Sequence, residues 1–291
     1  MSIKIFISSL IVVCSFTVNA GGPWTQVKGE GYFKLSEWGV IFDQHFTDEG
    51  KLDPNVTTGV LNTNLYAEFG FSNRFTGIVN GAVFSRNYMN NVISKTTEET
   101  LFEGDAVNSF GDIDLGLKYS LRGNDKKYPM AVSLYFGLPT GKSVAGGQNN
   151  LQTGDGEFNQ MLIYDIGHGF QFSGKVKGYW SANFGLNHRT NNYSSEIRSG
   201  AEVGAGLFKE KLWLILKTTD IQSLRNGATA ESVTSTSVFA NNTEYTSISL
   251  QVAYYIKGKW GVSASVATAT RGQVIAAAPS YSVGVFFDMS K

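Results

Sequence analysis

Phe110-Gly111-Asp112-Ile113-Asp114-Leu115-Gly116-Leu117-Lys118-Tyr119-Ser120-Leu121-Arg122 is the stretch whose reading decides the fold. Ile113, Leu115, Leu117, Tyr119 and Leu121 form one set, and Asp112, Asp114, Gly116, Lys118, Ser120 and Arg122 form the other. Successive side chains of a strand point to opposite faces, so the segment presents an apolar face and a largely charged one.

The same alternation recurs outward in both directions. On the C-terminal side, 130–139 opposes Met130, Val132, Leu134, Phe136 and Leu138 to Ala131, Ser133, Tyr135 and Gly137. Residues 174–187 oppose Val176, Trp180, Phe184 and Leu186 to Lys177, Tyr179, Ser181 and Asn183, and 197–208 set Ile197, Ala201 and Val203 against Arg198, Gly200 and Glu202. Residues 244–256, a segment opening at Trp260 and one ending near Phe287 continue the pattern, and 29–43, 59–71 and 75–88 precede it. Segments 156–166 and 212–222 alternate less cleanly, because Gln160 and Asp220 interrupt one face. The number of strands expected is therefore about 12.

Composition narrows the class. The 291 residues carry 24 Lys+Arg and 24 Asp+Glu, so there is no basic excess for a nucleic-acid partner. Only 16% are charged, against about one quarter in soluble domains. An apolar content of 42% argues against disorder, and no long apolar run follows residue 20 to make a membrane helix. Residues 1–20 read as a secretory signal, with Lys4, the apolar run Ile5 to Val13, and Val18-Asn19-Ala20 before cleavage ahead of Gly21. Cys14 lacks the small preceding residue that lipoprotein processing requires, so the mature chain, 21–291, has no cysteine and no disulfide.

Connections set the topology. They alternate long and short: 44–58, 72–74, 89–109, 123–127, 140–155, 167–173, 188–196, 209–211, 223–243, 257–259 and 272–279. An even strand number with this alternation predicts an all-β, transmembrane, antiparallel up-and-down β-barrel of the outer membrane of a Gram-negative bacterium, with short periplasmic turns. A soluble β-sandwich would explain the alternation but not the asymmetry of the loops. Phe71, Phe75, Tyr119, Tyr128, Phe208, Trp213, Tyr254 and Trp260 lie near the short turns, where an interfacial girdle belongs. Closure follows from lipid, which leaves no partner for the backbone groups of a free edge.

Gly111-Asp112-Ile113-Asp114-Leu115-Gly116-Leu117-Lys118-Tyr119, Gly137-Leu138-Pro139-Thr140-Gly141, Thr153-Gly154-Asp155-Gly156 and Ala182-Asn183-Phe184-Gly185 together resemble the barrel family named after the meta-cleavage pathway of phenol degradation. Ser282 to Met289 likewise resembles the C-terminal assembly signal of such barrels. The family resemblance implies an outer-membrane barrel that passes aromatic or other hydrophobic compounds. Only residues 21–28 precede the first strand, which is short for a plug, so gating is expected from lumen side chains or folded-in loops.

Other motifs carry little chemistry. Gly137 to Ser143 has three residues between glycines where a phosphate loop needs four. His45, His168 and His188 are scattered, so neither a metal nor a cofactor is expected. A membrane hydrolase would have to use His188 with Ser194 or Ser195, and no enzyme is expected. Asp112, Asp114, Lys118, Arg122, Lys177, Arg198, Glu202 and Arg271 all fall on the polar side by alternation and are the candidate lumen residues. Twelve strands stand between the eight that side chains fill and the sixteen that leave an aqueous channel, so the lumen should be narrow. The functional expectation is a monomeric channel for passive uptake of small hydrophobic or aromatic solutes, with outer-membrane lipid as its other partner. A non-transporting barrel that presents its loops to a partner is the alternative.

Overall fold

The computed structural model describes residues 21–94, 96–147, 149–172, 176–228 and 239–291, so the expected signal segment lies outside the described residues. Sixteen strands follow in order: β1 (Gly31–Phe46), β2 (Leu52–Gly70), β3 (Phe75–Met89), β4 (Val92–Ile93), β5 (Thr100–Phe102), β6 (Asp105–Ser109), β7 (Ile113–Arg122) and β8 (Met130–Leu138). Then come β9 (Asn159–Phe172), β10 (Val176–Arg189), β11 (Glu196–Leu207), β12 (Leu212–Ser223), β13 (Glu244–Lys257), β14 (Trp260–Gln273), β15 (Ile275–Ala276) and β16 (Ser280–Asp288). Twelve long strands form one antiparallel ring, β1-β2-β3-β7-β8-β9-β10-β11-β12-β13-β14-β16, and β1 closes it by pairing with both β2 and β16. The protein is a closed antiparallel β-barrel.

Alternation decides the faces. Leu115, Leu117, Leu134, Phe136, Leu162, Phe184, Leu186, Leu214, Leu216, Leu250, Val283 and Val285 are exposed on the outside, whereas Lys118, Ser133, Asp165, Ser181 and Ser263 are buried within. Glu37 breaks the outer pattern: it faces outward between Leu35 and Ile41 and accepts a 2.7 Å bond from Thr63 Oγ1. Phe71, Phe75, Phe208, Tyr254 and Trp260 are exposed at the short-turn end, where a girdle meets the headgroups.

Several expectations need correction. Trp213 is not a girdle residue; it is 7% exposed and points into the lumen, because Leu212 and Leu214 take the outward positions on either side of it. Residues 44–58 are mostly ladder, since β1 and β2 stay paired to Phe46↔Leu52. The expected turn at 167–173 is strand as far as Phe172. Gly167 there faces inward, and a Cβ on it would lie 2.9 Å from both Pro23 Cγ and Trp24 Cη2, so the glycine serves a close approach and not a turn.

Candidate functional site

The site is the lumen, and its floor at the short-turn end is built by residues 21–28. Trp24, Thr25 and Gln26 are 6%, 4% and 2% exposed, which places this segment inside the ring. Thr25 N donates to Asn124 Oδ1 at 3.2 Å, and Asn124 Nδ2 donates back to Thr25 O at 2.7 Å. Gln26 N donates to Thr76 Oγ1 at 2.8 Å, and Gln26 Nε2 donates to Glu68 Oε2 at 2.8 Å. Trp24 meets Tyr179 edge to face at 5.5 Å. The expectation that so short a segment leaves gating to lumen side chains and loops alone is therefore corrected: this strap lies across the lumen and supplies part of its filling.

Around the strap gathers an aromatic cluster of Trp24, Tyr32, Tyr179, Trp213 and Phe286, with Tyr66 and Tyr255 against it. Such side chains fit in a narrow ring only where the facing strand has no Cβ. Gly204 lies under Tyr179, and Gly261 under Phe286, so close that a Cβ at either would overlap the ring. The high glycine content, 33 residues, thus has a packing cause in the lumen.

Beside the cluster, with Glu68 directly opposite Tyr32 in the ladder, sits a sealed ion pair. Lys118 Nζ lies 3.1 Å from Glu68 Oε1, with side chains 2% and 0% exposed. Glu68 also accepts from the Tyr66 hydroxyl at 2.6 Å and from Gln26. The carboxylate is therefore saturated with donors, which is what a buried charge requires. Asp114 stands higher on β7, 3.5 Å from Asn80 Nδ2.

At the long-loop end, loop 139–158 folds inward, with Leu151 fully buried against Met89 and Val107. Asp112 holds it: Gly141 N and Asp155 N each donate to its carboxylate at 2.9 Å. Thr140 Oγ1 donates to Gly111 O at 2.6 Å, and Thr153 Oγ1 to Phe110 O at 2.8 Å. Three of the four sequence segments that carry the family resemblance thus meet in one clamp. Burial pushes the Asp112 carboxyl up to about 6, against the lowering effect of the two backbone donors. Beside the clamp, Arg189 binds Glu157, Glu196 Oε1 at 2.8 Å and Asp155 Oδ2 at 3.2 Å, and Arg198 binds Glu196 Oε2 at 2.7 Å.

The eight expected lumen residues therefore have different positions. Lys118, Asp114, Arg198 and Glu202 lie on the inner face of the ring, Glu202 within reach of the Tyr179 hydroxyl. Lys177 lies on that face at the short-turn end and pairs with Glu210 at 2.6 Å. Asp112 is a loop anchor just before β7. Arg122 and Arg271 are on the outside, and the physical reason is the same for both. A register shift between Ser120 and Arg122 sets Arg122 opposite Met130, on the outward row. A second shift around Ser247 sets Arg271 opposite Thr246, where it binds Asp220 Oδ1 at 2.9 Å on the outer surface. Each bulge inserts one residue and reverses every later side chain.

Sequence reasoning missed Glu68, Gln26, Trp24, Asp165 and the Arg189–Glu157–Glu196 group. Glu68 was within reach, since Asn62, Asn64, Tyr66 and Glu68 alternate on the polar side of β2. For the strap no signal exists, because eight residues without period do not say which way they run. Of the hydrolase candidates, Ser195 Oγ and His188 Nδ1 come within 3.4 Å at an exposed position and Ser194 Oγ donates to Asn242, and among the described residues no carboxylate bonds the His188 ring.

Comparison with known proteins agrees with this geometry. Over 93% of its length the chain is similar in structure to the COG4313 outer membrane channel from Pseudomonas putida F1, of which 99% is covered, with TM-score 0.56 and 10% identity. The NanC porin aligns over 88% of this chain and 98% of its own at 8% identity, with TM-score 0.46. No curated protein matches by sequence. The model of the family "Putative MetA-pathway of phenol degradation" matches residues 45–278, and the chain belongs to that family.

Proposed function

We propose that the protein is a monomeric, narrow channel for passive uptake of small hydrophobic or aromatic solutes, and that residues 21–28 hold it closed at the periplasmic end. The observation that carries this reading is the gradient along the lumen. Its outer half is lined by charged and amide groups such as Asp114, Arg198 and Asn183, which suit entry of a hydrated solute. The inner half gathers aromatic side chains, with Tyr32, Tyr135, Tyr179, Trp213 and Phe286 facing inward around the Lys118–Glu68 pair. Apolar or aromatic rings would stack there at the expense of the strap, whose Trp24 makes the same kind of contact. A solute with both a polar and an aromatic part matches this sequence of surfaces.

A cleft of about 470 Å³ lined by Thr25, Gln26, Asn73 and Asn124 adjoins the strap. Solute uptake tests the reading. Vesicles carrying the protein should take up small phenols and aromatic acids faster than protein-free vesicles, and Trp24→Ala should increase the rate. Equal uptake with and without protein, in both forms, would favour a barrel that presents its loops and transports nothing.

A further inference from the structure

Cleavage ahead of Gly21 would do more than release the leader. Hydrolysis of the Ala20–Gly21 peptide bond consumes one water and leaves a carboxylate on the leader and a protonated amine on Gly21. A neutral amide is thereby replaced by a cation, at the free end of the strap.

The position of that end is informative. A Cβ placed on Gly22 would lie 3.3 Å from Ser181 Oγ, so the strap ends on the inner face of β10. Ser181 pairs across the ladder with Gly167 of β9 on one side and with Glu202 of β11 on the other. Side chains of directly opposed residues stand about 5 Å apart. Two residues from Gly167, on the same inner face, is Asp165. It is 7% exposed and makes no hydrogen bond or ion pair with any described residue. Lys118 and Lys217 act on its charge from a distance, but neither is bonded to it, so this buried carboxylate has no ion-pair partner of its own among the described residues.

The two nearby cations are engaged elsewhere or stand off. Lys118 is committed to Glu68, and Lys217 stands opposite Glu202 in the ladder without forming an ion pair to it. Lys34 lies on the far side, on β1. We infer that the α-ammonium of Gly21 is the counterion: it docks between Asp165 and Glu202 and pins the strap inside the lumen. Processing during export then closes the channel, and the precursor lacks the lock. This rests on the reading of residues 21–28 as a closing strap.

The experiment uses the mature protein, refolded or purified from membranes, with its amines dimethylated by ¹³C-formaldehyde and a cyanoborohydride reductant so that the positive charge is kept. Mass spectrometry should give a chain starting at Gly21; a different start removes the cation from this place and overturns the proposal. In the NMR titration the α-amine should titrate at least one pH unit above its ordinary value of about 8, a tenfold tighter hold on the proton. The shift should vanish in Asp165→Asn/Glu202→Gln and be roughly halved in either single variant. An α-amine at its ordinary value in the wild type, or a shift that survives the double variant, overturns the docking.

Should the double variant fail to fold, N-terminal acetylation of the wild type before refolding gives a second readout. Conductance should then rise toward that of a chain lacking residues 21–27, and an unchanged conductance counts against the lock. The two readings separate cleanly. If deletion of residues 21–27 opens the channel while the amine titrates normally, the docking fails and the strap stands. If the amine is shifted while deletion changes nothing, the docking stands and the strap does not close the channel.

Discussion

Lys118→Met tests the lumen architecture most sharply on the side of stability. The substitution keeps the length and apolar stem of the side chain but removes the only cation bound to Glu68, a carboxylate that is fully buried. Breaking one partner of a buried pair costs about 3 to 5 kcal/mol, because the other charge stays uncompensated. Tyr66 and Gln26 still donate to Glu68, and the carboxylate can take up a proton, so the lower half of that range is expected. Replacing both partners, Lys118→Met with Glu68→Gln, removes both charges and leaves an amide that Tyr66 and Gln26 can still bind. The double variant should lie within about 1 kcal/mol of the wild type, since uncharged replacements of buried pairs are often neutral. Equilibrium unfolding by urea in phospholipid vesicles, followed through tryptophan fluorescence, gives all four corners of the cycle. A single variant within about 1 kcal/mol of the wild type, or a double variant as unstable as the sum of the singles, would refute the sealed pair.

Other consequences follow from the assigned faces and the clamp. Leu117→Arg places a cation on the lipid face and should cost about 2 to 4 kcal/mol near the bilayer midplane, in the same unfolding assay. Glu37→Leu should instead stabilise the barrel by about 1 kcal/mol, because it removes a carboxylate from that face; a loss of stability would show that the bond from Thr63 outweighs the cost of the charge. Burial holds the Asp112 proton up to about 6, above the unfolded value of about 4, so this group favours the closed clamp at low pH and loses that contribution as pH rises through about 6. Hydrogen-exchange protection of the Gly141 and Asp155 amides should fall across that window and become flat in Asp112→Asn; an unchanged slope in the variant would assign the effect elsewhere. Epitope tags in 89–109 should be reached from outside intact cells, and a tag in 123–127 should not; labelling of the latter would invert the orientation.

Much of the fold was legible because a barrel in lipid has one rule per residue. At Leu115–Leu117 and Leu134–Phe136 every second side chain must be apolar, and nothing else in the chain enforces so strict a period. Arg122 and Arg271 show where that rule stops. A bulge is set by local backbone pairing, leaves no mark in composition, and reverses the faces beyond it. Gly167 was misread because a glycine needed for a packed neighbour looks like one needed for a turn; the neighbour, Pro23, is over a hundred residues away in sequence. Trp213 was drawn to the girdle by its residue type, although the flanking Leu212 and Leu214 already directed it inward. In the site, Lys118 and Arg198 were legible from parity, and so was Glu196 two residues from Arg198 on the same strand, whereas Glu68 as the partner of Lys118 required the strand order β2-β3-β7. Asp112 appeared to be a lumen charge because it keeps the phase of β7, yet it lies one residue before the strand and binds loop backbone.

The central claim is a channel closed by its own N-terminal strap, and single-channel recording in planar lipid bilayers tests it most directly. The wild type should show small, weakly selective conductance with long closed periods, and the chain lacking residues 21–27 should conduct several-fold more, with the closed periods gone. Bilayers that remain silent with both forms, although both insert and fold, would contradict the account.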